Sequence, residues 1–183
     1  MGRSHSSQRW VLCSQGFRKQ EAGYTLLETM VVLAIIGALM AIAVPSFAHI
    51  LDVRLLNNAQ DQILQTLRQA QRESQYQRVN YRASFREVDG VVQGSIHPST
   101  ALPTDIAWTN LPAGIRIDAT ATTFYQNRQG VYFIQFNYRG NVSGRLGRMT
   151  VHRPNRAMPK RCVFASTLLG AMRRDMDRNC ARR

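Results

Sequence analysis

A long apolar run near the N-terminus, Met30 to Val44, restricts the fold more than any other feature of this 183-residue chain. From Tyr24 to Phe47 the segment has 24 residues, and as a helix rising about 1.5 Å per residue it can span about 30 Å of hydrocarbon. It includes an acid, Glu28, although an ionised side chain inside hydrocarbon costs at least about 2.5 to 3.5 kcal/mol. We therefore predict a membrane helix whose acid has a functional partner.

Beyond Pro45 the apolar run gives way to an amphipathic pattern. Apolar residues recur at steps of three and four, at Leu56, Ala59, Ile63, Leu67 and Ala70. Charged residues occupy the other faces of the predicted helix. This spacing predicts that the helix continues to about Gln75. Pro45 lacks a backbone donor, so it is predicted to bend or locally melt the helix.

From Val79 onward, alternating apolar residues and turn signals predict strands. Asp89-Gly90 separates Tyr81–Phe85 from Val91–Ile96, a spacing typical of a hairpin. Arg139-Gly140-Asn141 is predicted to close a second hairpin. Further strands are predicted at Ile115–Ala119, Val131–Tyr138, Arg148–His152 and Arg161–Ser166. The residues beyond the helix are predicted to form one α+β unit.

A polar leader, Met1 to Ala22, precedes the apolar segment and carries four bases against one acid. Cationic residues beside an apolar stretch keep that flank in the cytoplasm. A secretory signal would be cut after small residues that follow the apolar run, and Ala43-Val44-Pro45 is a poor site of that kind. We therefore predict cleavage before the helix, at Gly23.

The segment from Gly23 to Phe47 resembles the class III signal of type IV pilins and type II secretion pseudopilins. The resemblance implies that a prepilin peptidase cuts between Gly23 and Tyr24 and methylates the new N-terminus. Glu28 would then pair with the terminal ammonium of Tyr24 on a neighbouring subunit, and Pro45 would occupy a position where pilins carry proline. The alternative is an ordinary signal anchor in which Glu28 is incidental.

The family resemblance also implies an architecture and a location. The expected fold is α+β and pilin-like, a long N-terminal helix packed on antiparallel sheet. The expected divisions are a cleaved leader (1–23), a transmembrane and assembly segment (24–47) and a soluble periplasmic domain (48–183). The protein would lie in the bacterial inner membrane and then join other pilins in a pilus or pseudopilus.

Three later stretches resemble the GspH/FimT branch of this family, which contains the type II secretion minor pseudopilin and the minor pilins FimT and FimU. They are Leu111–Ile117, Phe136–Gly144 and Arg161–Ser166. The branch leaves three functions open: a minor pilin that binds DNA, a structural minor pilin that primes assembly, and a secretion pseudopilin.

Three cysteines occur, and Cys13 lies in the leader. Cys162 and Cys180 remain as a pair in an exported domain, where an oxidising compartment favours a disulfide over two free thiols. A metal site would need further ligands at close spacing, and the sequence supplies no such cluster. We predict a Cys162–Cys180 disulfide, which by resemblance to pilins would attach a C-terminal loop to the sheet.

Positive charge is concentrated at the C-terminal end. The formal net charge is +13, yet Tyr24 to Tyr138 has 8 bases and 8 acids, whereas Arg139 to Arg183 has 12 bases and 2 acids. Nearly all of these bases are Arg, which can grip phosphate oxygens with two parallel donors. The distribution predicts an anionic partner, and the alternative is a solvated basic surface.

FimT-like minor pilins bind extracellular DNA in natural transformation through a C-terminal loop with a Gly-Arg-any-Arg pattern. The corresponding stretch here is Gly170 to Arg174, with Ala171 in place of the first Arg. Double-stranded DNA is therefore a predicted partner. The candidate contacts are Arg173, Arg174, Arg178, Arg182, Arg183, Arg145 and Arg148. Arg173 and Arg178 could instead pair with Asp175 and Asp177.

No catalytic arrangement is evident. His5, His49, His97 and His152 are scattered, and no nucleophile–base or paired-carboxylate spacing can be drawn from the sequence. We predict neither enzyme activity nor a cofactor or metal. Trp108, Phe133 and Phe136 are predicted to lie in the core, while Tyr125 and Tyr138 could stack on bases if exposed.

Overall fold

The structure is a computed structural model that describes residues 23–154 and 158–181. The predicted leader up to residue 22 lies outside the described residues, as do Arg182 and Arg183. The chain divides into two compact units between Ala43 and Val44.

Helix α1 spans Leu26–Gln77, two residues beyond the predicted end. Thr25 caps its start, since the Thr25 Oγ1 accepts a hydrogen bond of 3.2 Å from the Glu28 backbone N–H. The helix ends before Arg78, because the φ of 56° at Arg78 lies in the left-handed region and cannot continue a right-handed helix. A stretch of α1 is long and apolar enough to cross a membrane, and none of the residues in that stretch is buried.

Two antiparallel sheets follow α1 in the second unit. The strands are β1 Tyr81–Val88, β2 Val91–Pro98, β3 Thr109–Asn110, β4 Arg116–Ile117, β5 Tyr125–Gln126, β6 Tyr132–Phe136, β7 Gly147–His152, β8 Lys160–Ala165 and β9 Met172–Met176. The first sheet has the order β3-β2-β1-β6-β5 and the second the order β4-β7-β8-β9. A 3-10 turn, Pro103–Asp105, and a short helix α2, Arg178–Ala181, complete the elements. The predicted α+β class is confirmed.

The first predicted hairpin is confirmed, and the second is present as a short antiparallel pairing. Asp89 and Gly90 join β1 to β2 with φ values of 50° and 77°, the positive pair that a two-residue hairpin loop of type I′ requires. The turn at Arg139–Asn141 closes an antiparallel bridge between Phe136 and Val142, with backbone hydrogen bonds of 2.8 Å from Asn137 N–H to the Asn141 oxygen and from Ser143 N–H to the Gln135 oxygen. Strands β6 and β7 lie in different sheets, so this turn carries the chain between sheets.

The core lies between the second part of α1 and the two sheets. All five residues of the predicted helical stripe are at most 1% exposed, as are Phe85, Phe136, Met149, Val151 and Val163. The core prediction is right for Phe136 and wrong for Phe133 and Trp108, which are half-buried. Because successive strand residues face opposite sides, burial of Ile134 in the core places Phe133 on the other face of the first sheet.

Glutamine side chains of α1 attach the helix to later segments. The Gln60 amide donates to the backbone oxygens of Cys162 and Asp175, both at 2.8 Å. The Gln71 amide donates to the oxygens of Gly140 and Gly170 at 2.8 and 3.2 Å. Gly170 has a φ of 82°, and a Cβ there would clash with the Gln71 amide and the Gly140 oxygen, so the site requires glycine.

The predicted disulfide between Cys162 and Cys180 is confirmed. It joins β8 to α2, with the Cα atoms 5.6 Å apart and both residues at most 1% exposed. The bond therefore fixes the described end of the chain to the second sheet.

Asp118 provides a pH-dependent contact in the second sheet. Burial by itself raises the pKa of Asp118, but hydrogen bonds from Lys160, Thr120 and the Ala121 backbone N–H outweigh burial and hold the pKa at about 2, against an ordinary value of 3.8. The Lys160 Nζ lies 2.5 Å from Asp118 Oδ2. The ionised form is thus favoured in the folded state.

We expect acid to remove the stabilisation that Asp118 supplies. A folded-state pKa below the unfolded one adds stability at neutral pH that is lost as the pH falls from about 4 towards 2, about 2 kcal/mol in all. Urea unfolding of the wild type and of Asp118→Asn across this range should show two stability curves that converge at low pH. A constant gap between the curves would contradict the prediction.

Candidate functional site

The N-terminal start of α1 presents an acid without a partner in the described residues. Gly23 and Tyr24 precede the helix, and Tyr24 is 78% exposed. Glu28 lies in the first helical turn, and no cation within 23–154 or 158–181 forms an ion pair with its carboxylate. Within the described residues Glu28 therefore has no counter-charge, and its pairing with a neighbouring subunit stays a prediction.

A purely local role for Glu28 is too small to explain its position. An acid in the first turn of a helix gains about 0.3 to 1 kcal/mol from the helix dipole. That gain is well below the cost of about 2.5 to 3.5 kcal/mol for an ionised group within hydrocarbon. The local contribution does not offset the cost, which is the physical basis of the predicted intermolecular contact.

The first part of α1 exposes a continuous apolar surface. Its large apolar side chains are between about half and three-quarters exposed, including Leu26, Leu27, Met30, Leu33, Leu39 and Ile42. Exposed apolar surface of this extent marks a membrane or protein contact. Pro45 lies within α1, and its role in bending the helix stays a prediction.

The two arginines of the predicted DNA-binding loop lie on a strand. Arg173 and Arg174 belong to β9, with side chains 59% and 56% exposed. Arg173 pairs with Asp175 at 3.1 Å, as the sequence had suggested, and lies over the Phe164 ring at 4.3 Å. Arg174 pairs with Asp61 of α1. Both guanidinium groups are thus already engaged with acids while remaining accessible.

Asp175 is held in its charged form beside Arg173. A hydrogen bond from the Asn179 side chain, followed by one from the Met176 backbone N–H, lowers the pKa of Asp175 below its ordinary value. The acid therefore remains ionised at neutral pH and offsets the charge of Arg173. This compensation weakens the positive potential at the centre of β9.

Arg148 is not available to a DNA backbone, which corrects its place among the predicted contacts. It is 6% exposed, and its Nε donates to the Ala121 backbone oxygen at 2.6 Å. Arg161 is equally enclosed, at 7% exposed, with its Nε bonded to Asn57 Oδ1 at 2.7 Å. Its guanidinium also pairs with Asp177, the acid that the sequence had assigned to Arg178. Part of the basic surplus is therefore structural.

Arg145 and Arg178 are the predicted contacts that remain exposed without an acidic partner in the described part of the chain. Arg145 lies in the connection between β6 and β7, and Arg178 begins α2. Arg139, which the sequence did not single out, is also exposed and lies over the Tyr138 ring at 5.2 Å. Tyr138 and Tyr125 are 50% and 57% exposed, as contact with bases would require.

Sequence reasoning missed a pocket on the outer face of the first sheet. Arg82 and Arg86 line it together with Trp108 and Tyr125. Alternation along β1 places both arginines on one face, which was readable from the sequence. Their aromatic neighbours come from distant segments, so no local pattern indicated the pocket. Within the described ranges, no group of three or more His, Cys, Asp or Glu residues is placed to hold a metal ion.

Comparison with known proteins adds evidence for the N-terminal segment. Residues 18–44 match the family model of the prokaryotic N-terminal methylation motif. No curated protein matches the chain. A similar solved structure is the type IV minor pilin FimU of Pseudomonas aeruginosa strain PAO1, with 12% sequence identity, a TM-score of 0.48, and coverage of 68% of this chain and 94% of that chain. The match confirms the predicted methylation-type N-terminal segment, which contains Gly23 and Glu28, and the roles of these two residues stay predictions.

Proposed function

We propose that this protein is a minor type IV pilin of the FimT/FimU kind, assembled into a pilus through the first part of α1. The observation that carries the proposal is the coincidence of the methylation motif with an exposed apolar helix whose acid, Glu28, has no cation paired with it in the described residues. A helix of this kind is inserted in the inner membrane first and then packs against the same helix of other pilins. Glu28 supplies the charge that sets the register of packing.

The partners follow from the same segment. Prepilin peptidase cleaves between Gly23 and Tyr24, which frees the ammonium group that Glu28 needs. The cationic leader stays on the cytoplasmic side, so residues 48–183 lie in the periplasm before assembly. Pro45 falls close to the point where the membrane segment gives way to the soluble domain.

Replacing Gly23 with Val should block removal of the leader. Glycine has no side chain, so a branched side chain at the cut site introduces steric hindrance where the peptidase binds the backbone. A Cβ at Gly23 meets nothing within 4 Å, so the fold should be unaffected. Intact-mass measurement of the membrane-extracted protein should show a chain starting at Tyr24 for the wild type and an uncleaved chain for the variant.

A matched control is Gly37→Val, because a Cβ at Gly37 also meets nothing within 4 Å and Gly37 lies in the apolar part of α1, away from the cut site. This variant should be cleaved normally. Cleavage of Gly23→Val at the wild-type position, or a wild-type mass that retains the leader, would overturn the processing part of the proposal.

Binding of double-stranded DNA is a second function that we infer for the C-terminal region. The specific support is that Arg145 and Arg178 are exposed and have no acidic partner in the described residues. Arg173 and Arg174 are also accessible, although each pairs with an acid. Each guanidinium that contacts a phosphate releases counterions, which gives weak and salt-dependent affinity. Arg182 and Arg183 remain proposed contacts. A structural subunit without DNA contact and a type II secretion pseudopilin are the alternatives.

Removing three arginines together, Arg173→Gln, Arg174→Gln and Arg178→Gln, should weaken binding of duplex DNA by the full-length protein in non-ionic detergent. The plot of log affinity against log salt should flatten by about 0.9 for each lost phosphate contact. Fluorescence anisotropy at several salt concentrations measures both quantities.

The control removes the same charge from exposed positions of α1, with Arg54→Gln, Arg68→Gln and Arg72→Gln. Equal losses of DNA affinity in both triple variants would indicate attraction by net charge alone and would contradict a binding site in the C-terminal region. No binding by the wild type would leave the pilin proposal intact and remove the DNA function.

A further inference from the structure

The outer face of the first sheet, away from the core, holds a pocket of about 300 Å³. The register of β1 with β2 and β6 places Arg82, Ser84 and Arg86 on this face, opposite the side that carries Ala83 and Phe85 into the core. The segment between β2 and β3 closes one side with Trp108, and the β5–β6 hairpin closes another with Asn127 and Gln129. The volume is at the lower end of the range of about 300 to 1,000 Å³ seen for small-ligand sites.

Two guanidinium groups are fixed in this pocket without neutralising acids. Arg82 lies over the Phe133 ring at 4.6 Å and its Nε donates to Gln135 at 2.9 Å. Arg86 lies over the Trp108 ring at 4.0 Å and its Nε donates to Gln93 at 2.8 Å. No carboxylate in the described part of the chain forms an ion pair with either arginine. Stacking and the Nε bonds hold both side chains in place, so their terminal nitrogens are preorganised donors.

A buried histidine and a hydroxyl form the floor between the arginines. The Nδ1 of His97 lies 2.8 Å from the Pro98 carbonyl oxygen, which can only accept, so this nitrogen carries the proton. In the neutral ring Nε2 then accepts from the Ser84 hydroxyl at 2.9 Å. Burial lowers the pKa of His97, and the positive charge of Arg82 lowers it further. The charge of the pocket therefore comes from the two arginines, and Ser84 keeps lone pairs for a hydroxyl donor.

An exposed aromatic face completes the pocket. Tyr125 is 57% exposed and packs against Phe133 with ring centroids 5.0 Å apart. Trp108 and Phe133 each have an arginine over the ring, whereas no cation within 23–154 or 158–181 lies over Tyr125. A ligand ring can therefore lie against Tyr125 while its charged group meets the guanidinium groups.

We propose that this pocket binds an acidic saccharide, a sugar ring that carries a carboxylate. The carboxylate accepts hydrogen bonds from Arg82 and Arg86, and the apolar face of the ring lies against Tyr125. Ser84, Asn127 and Gln129 supply the mixed donors and acceptors that ring hydroxyls require. This polar lining favours a hydroxylated sugar ring over a nucleotide. A flat base binds best when it stacks between two exposed aromatic rings, and among the described residues that line the pocket Tyr125 is the one exposed ring.

The test uses the full-length protein with Trp10→Phe, so that Trp108 is the remaining tryptophan. The protein is kept in a polyoxyethylene detergent, which has no sugar headgroup. A disaccharide containing glucuronic acid is titrated against its carboxyl-reduced counterpart, with Trp108 fluorescence and calorimetry as readouts. We expect the acidic disaccharide to bind at least about tenfold more tightly than the neutral one, the usual effect of a charged hydrogen bond.

Variants locate the site. Arg82→Gln and Arg86→Gln should each weaken binding about tenfold or more, and Tyr125→Ala should weaken both sugars. Arg68→Gln removes the same charge from an exposed position on α1 and should bind like the wild type. Thermal melting of each variant checks folding, and the preference for the acidic sugar in the wild type does not depend on any variant.

Several outcomes would overturn the proposal. One is the absence of saturable binding, and another is equal affinity for the acidic and neutral sugars. A third is an equal loss of affinity in Arg68→Gln and Arg82→Gln. Tighter binding of inorganic phosphate, thymidine 5′-monophosphate or single-stranded DNA would replace the saccharide with a phosphate-bearing ligand. None of these outcomes bears on Gly23 processing or on duplex binding by the C-terminal arginines.

Discussion

Replacing Glu28 with Gln should exclude this protein from filaments while leaving its cleavage and membrane insertion unchanged. Glu28 is exposed near the start of α1, and no cation pairs with it in the described residues. In a filament its carboxylate would face the ammonium of Tyr24 on a neighbouring subunit. Opposite charges about 4 Å apart attract by about 4 kcal/mol at an effective dielectric constant of 20.

The neutral glutamine leaves that ammonium buried without a counter-charge. Breaking one side of a buried ion pair costs about 3 to 5 kcal/mol, which corresponds to a loss of incorporation by a factor of roughly a hundred or more. Glutamine has nearly the shape of glutamate, so packing of the helix is preserved.

Immunoblots of sheared filaments and of membranes measure the expected redistribution. The variant should be abundant in membranes and absent from filaments. Glu73→Gln is a matched control, because it removes an acid from α1 outside the apolar segment, and it should be incorporated normally. Wild-type amounts of Glu28→Gln in filaments would show that the acid has no role in assembly.

Replacing both Cys162 and Cys180 with Ala should lower the free energy of unfolding by about 3 kcal/mol, the value that the chain-entropy model gives for a loop of this length. The two residues are 18 positions apart in sequence and are both buried. The loop that they close contains β9, an edge strand of the second sheet. Without the bond, β9 is held by its antiparallel pairing with β8, by the Gln60 hydrogen bond and by the ion pair between Arg174 and Asp61.

Urea unfolding, monitored by circular dichroism, measures the loss in stability. Amide hydrogen exchange shows which strands lose protection. Protection should drop first in β9 and less in β1, which lies in the other sheet. Cys13→Ala is the control, since Cys13 lies in the leader and outside the bonded pair. A double variant as stable as the wild type would show that the bond contributes no net stability.

The sequence predicted the elements whose signals are local. The spacing of Leu56, Ile63 and Leu67 specified the buried stripe of α1, because a helical period repeats within a few residues. Asp89-Gly90 specified the first hairpin because two consecutive positive φ values favour these residue types. The even pair of cysteines indicated the disulfide.

Strand β9 and the pairing of its arginines were not predictable. Met172–Met176 contains three charged residues in succession and shows no clear alternation of apolar side chains, so it was interpreted as a loop. Arg174 pairs with Asp61, which lies 113 positions earlier in the chain. Arg148 is among the predicted DNA contacts for the same reason, since its backbone acceptor, Ala121, lies 27 positions away.

The sequence by itself determined the N-terminal segment, in which a methylation motif, an apolar helix and the acid Glu28 lie within one contiguous stretch. The tertiary structure decided which of its arginines are free to act. Charge can be counted along a chain, but compensation and burial depend on residues that folding brings together from distant positions. The pocket of Arg82 and Arg86 became visible for the same reason, because its cations come from one strand and its aromatic walls from three other segments.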